Sequence, residues 1–452
     1  MSEIVNVAER SVSRRGFLGG AALAGLGMTG AGTLLAGCAP AATPSAGASA
    51  TAGGSAAATG PVTWASWANP GEADAYKKVT AAYTAKYGNK VTWQQVVGDY
   101  QTKLLTQLAG GSAPDAFYVG DSSMAPMISS GKLEPLDDFL ASADSPLKLA
   151  DVFPGLYQWC KGKDGKLYGV PVDCNPKVFW FNKGLLTEAG VMTDPAAAFA
   201  AGTWNRAALD DLLVKVKAIG KRGMVVEGNW FDIFSLITTF GGNAINEDGT
   251  KVVFDTDPKA LETLEWLFAH FKAGTIAYGG SLPKGQGVDA LFYGGQLATT
   301  QYGRWILPNL KKLKNLQYDV APMPSEDGKT VMPVAVYTAA MSVQTAAKDK
   351  QAALMFMARY VNADGQRARL AGGGNAVPAV SGLEDIVLEG GVPANAKVFT
   401  DVAAKGWAVP IAIAGSSKVS TNLGTEIDKL IKGGATAKDF ATKIAAFINA
   451  GG

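Results

Sequence analysis

A single histidine, His270, limits the acid–base and metal chemistry open to this 452-residue chain. It lies in a helical segment, Glu265-Trp266-Leu267-Phe268-Ala269-His270, where a lone imidazole is a structural group. One histidine and two widely placed cysteines beyond residue 38 cannot assemble an ordinary zinc site. Gly120-Asp121-Ser122 could present a serine nucleophile, but it lacks a downstream Asp-x-x-His. The strained G-x-S-x-G elbow and the phosphate-binding P-loop do not occur. Asn246-Glu247-Asp248-Gly249 carries too few ligands for a calcium loop and reads as a hairpin turn. Glycoside hydrolysis needs only two carboxylates, so residue counting leaves it open; turnover of a glycoside would separate that chemistry from binding alone. No cofactor is implied.

The remaining chemistry is that of contact. The chain has ten Trp and thirteen Tyr, and a formal charge of +2 with no basic block, which disfavours nucleic acid. Metal binders need His or Cys sets. Cationic ligands such as polyamines need a carboxylate cluster, and the loops offer only scattered Asp. Near-neutral charge with aromatic loops favours a neutral, polyhydroxylated ligand. Charge-assisted hydrogen bonds from carboxylates hold hydroxyls, and flat rings meet the apolar face of a pyranose.

The elements that would position such groups alternate. Strands are expected at 62–67, 91–96 and 115–119, with helices at 72–86 and 100–109 between them. This β-α-β-α-β order argues a parallel α/β sheet. Further strands are expected at 178–182, 317–321 and 334–343. Helices are expected near 203–220, 232–240, 258–273, 286–293, 304–313, 348–361, 364–371, 421–433 and 436–449. The body from about residue 61 exceeds one core of ~250–300 residues, so two lobes are expected. Cys160 and Cys174 flank an expected hairpin turn at Lys163-Asp164-Gly165-Lys166. A disulfide there would contribute roughly 3 kcal/mol on the chain-entropy argument; the alternative is two buried free thiols.

The first sixty residues read as an address. Ser13-Arg14-Arg15-Gly16-Phe17-Leu18 resembles the twin-arginine export motif, with an ordinary secretory signal as the alternative. An uncharged stretch follows, ending in Leu35-Ala36-Gly37-Cys38. This resembles the lipobox of bacterial lipoproteins, in which the cysteine is lipidated and becomes the N-terminus; an uncleaved anchor is the alternative. Residues 39–60 hold almost only Ala, Gly, Ser, Thr and Pro, a flexible spacer with a reach of about 25 Å.

Several ordered stretches carry a wider resemblance. They are the Pro114-Asp115 strand of 107–121, Gly165 to Asp173 followed by Phe179-Trp180-Phe181-Asn182-Lys183, and Thr203-Trp204-Asn205. Gln296 to Trp305, Tyr318-Asp319-Val320-Ala321-Pro322, and Gly373 to Pro378 complete the set. Over roughly residues 61 to 450 the chain is similar to the extracellular solute-binding proteins of ABC importers, the sugar-binding, maltose-binding-protein-like family. The resemblance implies an α/β, two-lobed periplasmic-binding-protein fold (type II-like) with inter-lobe hinge crossings. Lobe 1 would hold 61–171 and 325–375, and lobe 2 would hold 176–320 and 376–452, with crossings near 171–175, Met323 and Asn375. It also implies a small-molecule carbohydrate as ligand and the transmembrane subunits of an ABC permease as partners. The protein would be an extracytoplasmic monomer held to the membrane only by its lipid, and not an enzyme.

On that template the expected ligand-binding residues are Trp67 and Asn69 after the first strand, Asp99, Asp121 after the third strand, and Asp173 and Asn175 at a crossing. Trp230, Tyr302, Arg304, Trp305, Tyr337 and Asn375 complete the set, with Trp407 a weaker candidate. Trp67 could instead lie in the core, and Asp99 and Asp121 could instead cap helices. Trp305 matches the family's G-x-W loop, where the ring stacks on sugar. Arg304 could pair with a cleft carboxylate or lie in solvent.

Overall fold

The computed structural model describes residues 60–452; the expected signal at 1–37, the Cys38 lipidation site and most of the spacer lie outside the described residues. Among the described residues ten strands form three sheets. They are β1 (Val62–Ser66), β2 (Val91–Gln95), β3 (Ala116–Gly120), β4 (Val170–Pro176), β5 (Val178–Asn182), β6 (Met224–Val226), β7 (Ile276–Tyr278), β8 (Thr299–Tyr302), β9 (Tyr318–Ala321) and β10 (Val336–Val343).

The first sheet has the order β2-β1-β3-β10-β4. β1 runs parallel to β2 and β3, as the alternating pattern requires, while β10 is antiparallel to both its neighbours. The second sheet, β8-β5-β9, is wholly antiparallel. β6 and β7 form a parallel pair. The chain therefore leaves the first sheet for the second at Lys177, just past the expected crossing, and returns between Ala321 and Val336.

Local chemistry sets the element ends. Asn69 caps the helix Pro70–Tyr87: its Oδ1 accepts from the N–H groups of Gly71 and Glu72, and Glu72 reaches back to the Asn69 N–H. This reciprocal box satisfies donors a helix start would otherwise orphan. Farther along the chain Asn205, Asn229 and Asp257 cap Arg206–Ala218, Trp230–Thr239 and Pro258–Ala273. Trp64 faces inward among Tyr76, Tyr118, Phe356 and Tyr360. Trp67, just past the end of β1, is half-buried and packs edge-on against Tyr100 and Tyr118.

The expected Cys160–Cys174 bond is not formed; both are free, buried thiols. Cys174 lies in β4 with its sulfur against the Pro378 carbonyl (3.6 Å), while Cys160 ends a short helical turn packed elsewhere. Burial raises both thiol pKa values, so neither is a reactive thiolate. Among the described residues no helix is long and apolar enough to cross a membrane, and no cluster of His, Cys, Asp and Glu could hold a metal ion.

Candidate functional site

The C-terminal ends of the parallel strands, the crossing strand β4, and the Gly303–Trp305 loop of the second lobe surround a cavity of about 570 Å³. Eight of the expected residues line it: Trp67, Asn69, Asp121, Asp173, Asn175, Trp305, Tyr337 and Asn375. Two other cavities are candidates for less. One of about 370 Å³ lies beside Trp407, Asn243 and Glu247. Another of about 360 Å³ is bounded mainly by apolar groups, including Cys174, Val377 and Val380. Only the first gathers carboxylates, amides and rings at strand ends, where open α/β sheets bind ligands.

Each wall has a structural reason. Gly120, not Asp121, takes the N-cap position of the helix Asp121–Ser129, and no side chain caps that end. The capping role once open to Asp121 is thereby absent, and Asp121 lines the cavity instead. Asn69 serves two roles. Its oxygen caps a helix while its Nδ2 donates to the Trp305 carbonyl at 3.2 Å, joining first-lobe and second-lobe walls. A Cβ on Gly303 would collide with the Trp305 ring and Asn175, so only glycine lets the ring fold back over the cavity. Trp305 then meets Tyr337 edge-on (5.0 Å, 88°). Asn175 Oδ1 accepts from the Arg304 N–H at 2.7 Å, which fixes the loop.

Four expected residues lie elsewhere. Asp99 caps the helix Tyr100–Ala109 by accepting from the Thr102 N–H, and that bonding holds its pKa below the usual value. Trp230 is buried, stacked on Phe231 (3.7 Å) and against Trp407 (5.9 Å). Tyr302 is buried with its hydroxyl on Glu227 Oε1 (3.1 Å). Arg304 neither pairs with a carboxylate nor reaches solvent. It is fully buried and donates to the Gly374 and Val387 carbonyls (3.0 and 2.7 Å), and burial lowers its pKa to about 10. Arg304 is thus a positioning residue, tying the Trp305 loop to the segment that carries Asn375.

The sequence reading missed Glu72, Tyr76, Tyr118, Gln101, Asp289 and Tyr293, which also line the cavity. Glu72 was legible as the third residue of a capping box, and that role concealed its second one. Its other oxygen accepts from Asn375 Nδ2 at 2.7 Å. Asp173 is held by buried Arg369 (2.7 Å), whose other nitrogen donates to the Val172 carbonyl. Burial outweighs that partner, and the Asp173 pKa is raised. Beneath Tyr337, Lys177 forms a buried ion pair with Asp232 and donates to the Gln301 carbonyl (2.8 Å) and the Tyr337 hydroxyl (3.2 Å).

Two carboxyls in and beside the site are pushed up, Glu72 to about 6 by burial and Glu227 to about 7 by burial and then by Asp232. A raised folded-state pKa gives stability that is complete below the unfolded value, near 4.3, and that is lost as pH rises through the folded value. The ligand-free protein should therefore lose stability between about pH 4.5 and 7. Glu227→Gln should flatten the upper part of that slope by on the order of 2 kcal/mol. Thermal unfolding of both proteins across this range checks it; parallel curves would contradict the assignment.

The comparisons with known proteins agree with this geometry. The family of bacterial extracellular solute-binding proteins matches residues 68–367. A binding protein of Brucella abortus is 24% identical over 233 residues, 49% of this chain and 52% of its own length. The sn-glycerol-3-phosphate-binding periplasmic protein UgpB of Escherichia coli is 25% identical over 267 residues, 56% of this chain and 58% of its own. The chain thus matches about half the length of these relatives. The ABC substrate-binding protein Lmo0181 of Listeria monocytogenes, solved with cycloalternan, superposes with a TM-score of 0.74 at 21% identity, covering 87% of this chain and 98% of that one. This likeness establishes the two-lobed periplasmic-binding-protein fold. With two thirds of its length matched by the family and the same fold around a cleft of polar groups and rings, the chain is a member of the bacterial extracellular solute-binding proteins.

Proposed function

We propose that this protein is the substrate-binding subunit of an ABC importer and takes a carbohydrate into the cleft. It works as an extracytoplasmic monomer, held to the membrane by a lipid on Cys38, and delivers its ligand to the permease's transmembrane subunits. The observation that carries the ligand class is the cavity wall. Trp67, Trp305 and Tyr337 supply flat apolar faces, while Asp121, Asp173, Asn175 and Asn375 supply hydroxyl partners. The lobe division at 61–171 plus 325–375 and 176–320 plus 376–452 allows hinge closure over the ligand, with Lys177 and the 322–335 segment as pivots. The rival reading is a non-sugar solute. A phosphorylated one, of the kind named for the Escherichia coli relative, is disfavoured because no Lys, Arg or His lines the cavity among the described residues. The relatives are binding proteins, which supports binding without turnover.

A thermal-shift screen of mono- and oligosaccharides tests the reading, with product analysis for any that bind. A rise of several degrees with a sugar, and no hydrolysis, is expected. Shifts only with amino acids or sn-glycerol 3-phosphate would replace the substrate class, and release of product would make the protein an enzyme. Cys38→Ala should leave binding intact and abolish cellular uptake; uptake that persists with the protein in the medium would refute the anchor.

A further inference from the structure

The cleft wall is unequal in sign. Glu72, Asp121, Asp173 and Asp289 come from four separate segments, scattered in sequence, yet all line one cavity. The two buried cations behind it are already matched, Arg369 by Asp173 and Lys177 by Asp232. A second observation is independent of these charges. Asn375 is 4% exposed, and its Nδ2 is committed to Glu72 at 2.7 Å with Tyr76 beyond. A carboxylate accepts only, so this bond fixes which end of the amide is nitrogen. The amide oxygen is left as a buried acceptor without a protein partner, on the cavity wall. Gln101, half-buried on the same wall, also has an unpartnered Oε1. Buried acceptors left unpaired are costly, so the occupant must bring donors.

We propose that the ligand is a carbohydrate bearing a protonated amine, an amino sugar or an aminated oligosaccharide. An ammonium offers three donors and no acceptor, which complements both the carboxylates and Asn375 Oδ1. The half-buried ring of Trp67 on the same wall adds a surface that attracts a cation. The electrostatic effect of Asp173 on Glu72, which raises the latter's pKa, places both acids within each other's field. The sequence alone argued the opposite, because the acids look dispersed along the chain.

This inference rests on the carbohydrate reading, and matched pairs keep the two separable. Full-length protein is titrated calorimetrically with glucosamine and glucose, galactosamine and galactose, and the β-linked glucosamine dimer and cellobiose, with sn-glycerol 3-phosphate as the anion. At least one aminated member is expected to bind about tenfold tighter than its neutral partner, with the ratio falling as salt is raised. Asp289→Asn, at an exposed position, should weaken the aminated sugar about threefold, and more than the neutral one; Glu72→Gln should widen that difference further. Neutral members that bind as well as or better than aminated ones overturn this proposal and leave the carbohydrate reading standing. Binding of sn-glycerol 3-phosphate alone, or of nothing in the panel, overturns both.

Discussion

Asp232→Ala is expected to lower the unfolding free energy by about 3–5 kcal/mol. Lys177 is wholly buried and Asp232 is 2% exposed, so the pair is out of reach of water. Removing the carboxylate strands an ammonium in the interior, and the Gln301 carbonyl and Tyr337 hydroxyl cannot neutralise it. The same change frees the Glu227 N–H, which now donates to Asp232 Oδ2 at 2.7 Å. Replacing both partners together, Lys177→Met with Asp232→Leu, should recover most of the loss, because the penalty comes from one uncompensated charge. Denaturant unfolding of the three proteins measures this. A single-mutant loss below about 1 kcal/mol would show that water reaches the pair.

Trp305→Ala is expected to weaken ligand binding by about 30- to 100-fold, or roughly 2–3 kcal/mol, the scale of a central aromatic anchor. The ring is half-buried and its main contacts are Tyr302 and Tyr337, so truncation should cost the free protein little. The hydrogen bond from Asn69 goes to the Trp305 main-chain carbonyl and survives in alanine. Affinity should therefore fall while the ligand-free melting temperature stays within a few degrees. Calorimetric titration with whichever sugar binds wild type gives the answer. An unchanged affinity would move the stacking surface to Trp67 or Tyr337.

The first lobe was legible in the sequence because its local signals agree. The helix Tyr100–Ala109 occupies its expected residues, with a polar cap and a glycine after its end. The second lobe was less legible. β6, β7 and β8 have only three or four residues, too short for alternation to register. At the site, residues on strand ends were found, while two on the helix Pro70–Tyr87 were not. Glu72 and Tyr76 read as a capping residue and a core face, and both also reach the cavity. Trp230, Tyr302 and Arg304 erred the other way. Their types suit ligand contact, but Trp407, Glu227 and two carbonyls claim them first, and such claims arise from residues distant in the chain.

The place of β10 has a consequence for how the molecule is made. That strand lies between β3 and β4, so the first sheet stays split until residues 336–343 have been synthesised, about three quarters of the way along the chain. The second sheet needs nothing beyond β9, at Tyr318–Ala321. On a ribosome working from the N-terminus, the sheet begun first is completed last. Until then β3 and β4 each present an unpaired edge to any other chain nearby. The nascent protein must be kept apart from its neighbours through most of its synthesis, and both halves become whole only as the chain nears its end.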